Sequence, residues 1–199
     1  MLRRRAMLWL GLAVLATISI LAACSQQPRE VSAITITQQI EQGKYLVTVG
    51  GCNDCHSPKI ITAKGTAIDP TRLLSGHPAE VQLPEIPRDI LAPNGWGALT
   101  TPDMTAWAGP WGISFASNLT PDEVTGVGAW IESSFIAAMR NGRHLGTGRP
   151  ILPPMPWENL NQLSDEDLKA IFTYLKSLKP INNRVPMPVI PERMSFQTQ

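Results

Sequence analysis

Nine residues constrain this chain more than any others: Gly50-Gly51-Cys52-Asn53-Asp54-Cys55-His56-Ser57-Pro58. A chain with only three cysteines and three histidines places two of the former and one of the latter within five positions. Whatever Cys52, Cys55 and His56 bind together has to sit inside the fold, so the motif decides what the remaining residues can pack around. Half of a zinc site, a redox dithiol and an attachment point for a tetrapyrrole are the three chemistries compatible with that spacing.

Counting ligands removes the first. A structural zinc site takes four ligands, usually as two close pairs, and His77 and His144 are isolated in the sequence. A thioredoxin-like dithiol expects a strand before the motif and a βαβ pattern around it. Here a helical period precedes it, and no strand pattern is expected after it. Cys-x-x-Cys-His is the attachment signature of a c-type haem. Two thiols three positions apart can reach the two vinyl groups of one porphyrin, and the following imidazole can address the iron. His56 is then expected to bind through one ring nitrogen while the other donates to a backbone carbonyl.

The third cysteine belongs to the N-terminus. Arg3, Arg4 and Arg5 precede an uncharged, mostly apolar run from Ala6 to Ala23, the pattern of a secretory signal. It ends Leu21-Ala22-Ala23-Cys24, which resembles a bacterial lipobox. The resemblance implies cleavage after residue 23 and lipid attachment at Cys24. The alternative is an uncleaved anchor, since the run is close to the length of about 20 residues that a spanning helix needs. Either reading places the domain outside the cytoplasm, on the periplasmic side of a bacterial membrane. Cleavage would remove three arginines from a chain with 17 basic and 16 acidic side chains. No polybasic surface would then remain to hold anionic lipid, and the near-zero charge gives no reason to expect a nucleic-acid partner.

Residues 24–37 read as a tether, 38–180 as the domain and 181–199 as a proline-rich tail. Within the domain a first helix is expected from Gln38 to Gly50-Gly51, on Ile40, Leu46, Val47 and Val49. A second is expected over 128–140, where Trp130, Ile131, Phe135, Ile136 and Met139 recur at helical spacing. A third begins at Ser164, a good N-cap followed by Asp165, Glu166 and Asp167. Its apolar face is Leu168, Ile171, Phe172, Leu175 and Leu178, and Pro180 stops it. Between first and second helices lies a long insertion, 57–117, in which Pro58, Pro70, Pro78, Pro84, Pro87, Pro93, Pro102 and Pro110 interrupt any helix. It is expected to be irregular and to pack through Trp96, Trp107, Trp111 and Phe115. The fold class expected is mainly α.

An iron held by His56 takes a second axial ligand from the opposite side. Met155 is the first choice, held in a loop by Pro153, Pro154 and Pro156. Met187, between Pro186 and Pro188, and His144 are the rivals, while Met139 on its helix face is expected to be core filler.

Helix, CxxCH, helix, methionine loop and C-terminal helix together resemble a class I cytochrome c domain over roughly Gln38 to Leu178. GKYLVTVGGCNDCH, SNLTPDEVTGVGAW and GRPILPPMPW are similar to segments of the cytochrome subunits of bacterial membrane-associated dehydrogenases. Those subunits carry several CxxCH motifs, and this chain carries one. The resemblance implies one covalent haem c and redox-partner proteins. It also implies a close crossing of the first and last helices, with Gly43 or Tyr45 meeting Tyr174. Trp111, Asn118 and Arg149 become candidates to donate to the haem propionates. The function expected is electron transfer, without bond-making catalysis, by a lipid-anchored protein. A haem enzyme or gas sensor with an open or displaceable sixth ligand is the alternative.

Overall fold

The computed structural model describes residues 34–86, 88–91 and 95–191. The leader, Cys24 and most of the expected tether lie outside them.

The first helix, α1, runs Ile36–Val49, two residues earlier than its apolar period suggested. Thr35 explains the difference. Its hydroxyl accepts from the Gln38 amide at 3.2 Å, and the Gln38 side chain accepts from the Thr35 amide at 2.9 Å. This reciprocal box satisfies two amides that a helix start would otherwise leave bare. Two glycines then turn the chain, Gly51 in the left-handed region, into the short helix α2, Cys52–His56.

Residues 59–115 are not irregular throughout. Strands β1 (Lys59–Thr62) and β2 (Gly65–Ile68) form an antiparallel hairpin directly after the CxxCH. Strands β3 (Leu99–Thr100), β4 (Ala106–Gly109) and β5 (Gly112–Phe115) form an antiparallel sheet in that order. Among the described residues none of these prolines lies inside a strand, and Pro70, Pro102 and Pro110 fall in turns, which is why they mark no helix and still permit strands. Ile86, Ala108 and Ile113 make a small core here, with Leu83, Ile90, Leu99, Phe115 and Val189 against it. Trp96, expected to anchor this region, is 70% exposed and does not.

Helix α3, Glu132–Asn141, starts later than expected because Asp122 holds the preceding chain in turns. Its carbonyl accepts from the amides of both Gly126 and Gly128. After a loop and the single-turn helix α4 (Trp157–Leu160), helix α5 runs Asp165–Ser177. Its Ser164 cap accepts from the Asp167 amide at 3.1 Å.

The main core lies between α1, α3 and α5. Val47, Phe135, Ala138, Met139, Leu168, Ile171, Phe172 and Leu175 are buried in it, and each large aliphatic or aromatic side chain there contributes about 1.5–3 kcal/mol. Helices α1 and α5 touch backbone to backbone at Gly43, where an added Cβ would lie 1.9 Å from the Ala170 carbonyl oxygen and 2.7 Å from Cβ of Tyr174. Gly43 is therefore the residue at the crossing. Tyr45, the other candidate, is 60% exposed.

Beyond α5 the described residues, as far as Pro191, stay on the body. Ile113 and Val189 exchange amide-to-carbonyl bonds at 2.8 and 2.9 Å, laying the tail along β5.

Candidate functional site

Helix α2 brings Cys52 and Cys55 three positions apart, on one side of a short helix, both as free thiols. Cys52 packs against the main core. Burial pushes both thiols up; for Cys55 the nearby Lys59 ammonium and Trp107 indole work against that, while Asp54 adds to it. The Lys59 ammonium donates to the carbonyls of Asp54, Ser57 and Asp103, tying the end of α2 to the loop before β4.

His56 is 8% exposed. Its Nδ1 lies 2.7 Å from the carbonyl oxygen of Ser117. A carbonyl only accepts, so Nδ1 carries the hydrogen and Nε2 is left with a bare lone pair. Burial lowers the pKa of the ring, opposed by the Ser117 bond, so the imidazole is neutral at pH 7. A neutral imidazole with one nitrogen committed to a carbonyl and the other bare is what a metal ion requires of histidine. The sequence foresaw a carbonyl partner for His56 without indicating which of the later residues would supply it.

Two further segments hold this histidine. The Gly76 amide donates to the His56 carbonyl at 2.8 Å, and the His77 amide to the Ala116 carbonyl at 2.9 Å. Gly76 has φ of 78°, and a Cβ there would come 2.5 Å from the Ala116 oxygen. Only glycine fits both the conformation and the gap. The Ser57 hydroxyl accepts from the Leu74 amide at 2.8 Å and donates to Asn53 at 3.1 Å.

Met155 is half-buried and packs against the same core as Cys52. With Ile151, Pro153, Pro154, Pro156, Trp157 and Glu158 it lines a groove of about 400 Å³, to which His56 does not contribute. Of its rivals, Met187 is 70% exposed in the tail. His144 lies edge-on to Trp130, ring centroids 4.8 Å apart. Met139 is in the core, as expected.

The three propionate candidates differ. The Trp111 indole donates to the Ser114 hydroxyl at 3.2 Å, and that hydroxyl donates to the Pro153 carbonyl at 2.6 Å, linking the β4–β5 turn to the Met155 loop. Asn118 is buried; its amide nitrogen faces the Ile181 carbonyl at 2.8 Å and the Thr125 hydroxyl at 3.2 Å. Its oxygen accepts from the amide and hydroxyl of Thr120 at 2.9 and 2.7 Å. Both amide hydrogens thus have partners within the chain, in competition with any external anion. Arg149 is an exposed residue whose guanidinium is partly desolvated, which lowers its pKa, and it enters no ion pair among the described residues.

No group of three or more His, Cys, Asp or Glu side chains is placed to hold a metal ion among the described residues. The candidate donors are two thiols and one imidazole on α2 and, in the separate groove of residues 151–158, one thioether. Among known proteins the chain is 27% identical over 161 residues to the gluconate 2-dehydrogenase cytochrome c subunit of Pantoea cypripedii, covering 81% of this chain and 26% of that protein. It is 31% identical over 93 residues to the fructose dehydrogenase cytochrome subunit of Gluconobacter japonicus, covering 46% and 19%. The chain is similar to cytochrome c subunits of bacterial dehydrogenases. A third relative, the cytochrome c subunit of the quinone-dependent alcohol dehydrogenase of Gluconacetobacter polyoxogenes, is 27% identical over 146 residues, 72% of this chain and 25% of that protein. No family model matches the chain. The chain spans about a quarter or less of the length of these relatives.

Residues that the sequence did not single out complete the site. Ser117 and Gly76 hold His56, Lys59 caps the end of α2, and Asn183 reaches in from the tail. Each acts through a backbone atom or across a long separation, so no local spacing marks it.

Proposed function

We propose that the protein is an electron carrier holding one haem c, attached through Cys52 and Cys55, with His56 and Met155 as axial ligands to its iron. One observation carries the reading: the His56 imidazole is fixed by Ser117 with Nε2 bare, on the same five-residue helix that presents two free thiols. When bound, the haem would supply reversible one-electron transfer, and a thioether from Met155 would favour the ferrous state.

The residues of the chain do the rest. Ser117 orients the imidazole and keeps its proton on Nδ1. Lys59 and Ser57 hold the end of α2, and with it the Cys55 backbone, in place. Pro153, Pro154 and Pro156 restrict the loop that carries Met155. Arg149, without an ion-pair partner among the described residues, is the donor to a haem propionate. The relatives are by name subunits of dehydrogenases, which supports a dehydrogenase as redox partner. The lipobox-like residues before Cys24 support a lipid anchor facing the periplasm.

Exporting the full chain in a strain that matures c-type cytochromes, then staining a denaturing gel for haem, tests the proposal. The wild type should stain and Cys52→Ala with Cys55→Ala should not. Met155→Ala should keep covalent haem, lose the weak sulfur-to-iron band at the red end of the ferric spectrum, and bind CO. An unstained wild type refutes the proposal. A wild type that binds CO promptly refutes Met155 as a firm ligand and favours a gas-sensing or enzymatic haem.

A further inference from the structure

The tail residue Asn183 spends its whole side chain on one loop. Its amide nitrogen donates to the carbonyls of Ser75 at 2.7 Å and His77 at 2.9 Å. Its oxygen accepts from the Ala79 amide at 3.0 Å. Its own backbone amide donates to the Thr125 hydroxyl at 3.0 Å, and that hydroxyl donates to Asp122 at 2.7 Å. A side-chain amide has two hydrogens and one oxygen to offer, and here all three go to residues 75–79.

That loop is the one that holds His56. Gly76 donates to the His56 carbonyl, and His77 donates to Ala116, the residue before the Ser117 carbonyl that accepts from His56 Nδ1. Asn118, on the other side of Ser117, is tied by its side chain to the Ile181 carbonyl. The Ser117 carbonyl is therefore pinned from both flanks, through the 75–79 loop and through the tail. The residues bonded by Asn183 lie 108 and 106 positions earlier in sequence.

We infer that Asn183 is a positioning residue for His56, setting the Nδ1–H···O bond by holding the Ser75–Ala79 loop against Ala116–Ser117. The inference rests on His56 being an iron ligand. A shorter bond to the carbonyl gives the imidazole more anionic character and stabilises ferric iron. Loosening the loop lengthens that bond and shifts the balance toward ferrous.

The test uses the full-length, haem-loaded protein as wild type, Asn183→Ala, Asn183→Asp and the control Asn182→Ala. Asn182 is exposed and faces Asp122 rather than the loop. Asn183→Asp keeps an acceptor for the Ala79 amide but turns a carboxylate oxygen on the Ser75 and His77 carbonyls. At a fixed electrode poise both Asn183 variants should raise the ferrous-to-ferric ratio at least about threefold, or about 30 mV for a one-electron couple. The His56 Nδ1 proton of the reduced protein should exchange with deuterium faster in both, followed by NMR, and Asn182→Ala should change neither. If Asn183→Ala does not fold, Asn183→Asp decides alone. Wild-type ratio and exchange in the Asn183 variants, beside a haem-stained wild type, overturn this inference and leave the proposed function standing. A wild type without covalent haem overturns both.

Discussion

The three long helices and the 57–117 insertion are ordered by different means. Between α1, α3 and α5 the contacts are apolar, and the one backbone approach, at Gly43, is made by omitting a side chain. In the insertion the apolar cluster is small. Short polar side chains in it and beside it instead bond to backbone: Ser57 to Leu74 within it, Asn183 to Ser75 and His77 from the tail, and Asn118, just past its end, to Ile181. Apolar burial is additive and tolerant of shape, whereas a buried polar group left without its partner costs its full desolvation. The helical region can thus absorb conservative repacking, while the insertion fails one bond at a time.

The sharpest break of that contrast is Gly43→Val. Its Cβ has nowhere to go but into the Ala170 carbonyl, so the helices must part. Overpacking of this kind costs about 3 kcal/mol, and a chain of this size should melt about 6–12 °C lower. Calorimetry of the holoprotein checks it, and an unchanged melting temperature would mean that α1 and α5 do not cross there. Asn118→Ala comes next. It strands the buried Thr120 amide and leaves the Ile181 carbonyl only the longer contact to the Thr120 hydroxyl, at 3.3 Å, for about 1–3 kcal/mol. Hydrogen exchange should rise at Thr120 and around the tail while α5 stays protected. Equal loosening of α5 would remove the distinction drawn here.

The smallest effect concerns pH. His77 is fully buried, and its Nδ1 lies 2.7 Å from the Thr105 hydroxyl, which donates to Asp103 at 2.7 Å. Burial lowers the His77 pKa below its ordinary value near 6.5, against the attraction of Asp103. The unfolded chain therefore binds the proton more readily. The stability that His77 contributes is complete above about pH 6.5 and is lost as pH falls toward the folded value. Urea unfolding at pH 7 and pH 5 should show a larger loss for wild type than for His77→Gln. Equal losses would place the acid sensitivity elsewhere.

What could be read beforehand follows the same division. Ser164 with three acidic residues after it, and the Leu168–Leu175 face, announced α5 because cap and period are local signals. Thr35 is as informative a cap, but the apolar period begins two residues further on. The Lys59–Thr62 strand stayed hidden because its hairpin is exposed throughout most of its length and lacks the alternation that marks a half-buried strand. Trp96 misled because size alone does not bury a residue. Of the site, the Cys52–Cys55–His56 spacing was plain. Ser117 and Asn183 were not, since a carbonyl oxygen has no letter in the sequence and Asn183 works across more than a hundred residues.

The meeting of α1 with α5 has a consequence for how the chain is made. The Gln42 side chain finds Asp167 across a separation of 125 residues, so the core cannot close until nearly the whole domain has left the ribosome. Folds whose central contacts join the two ends of the chain have high contact order and wait on completion of synthesis. Until α5 arrives, the core surface on which Cys52 rests is unfinished, and its thiol is more open than in the closed domain, where it is half-buried.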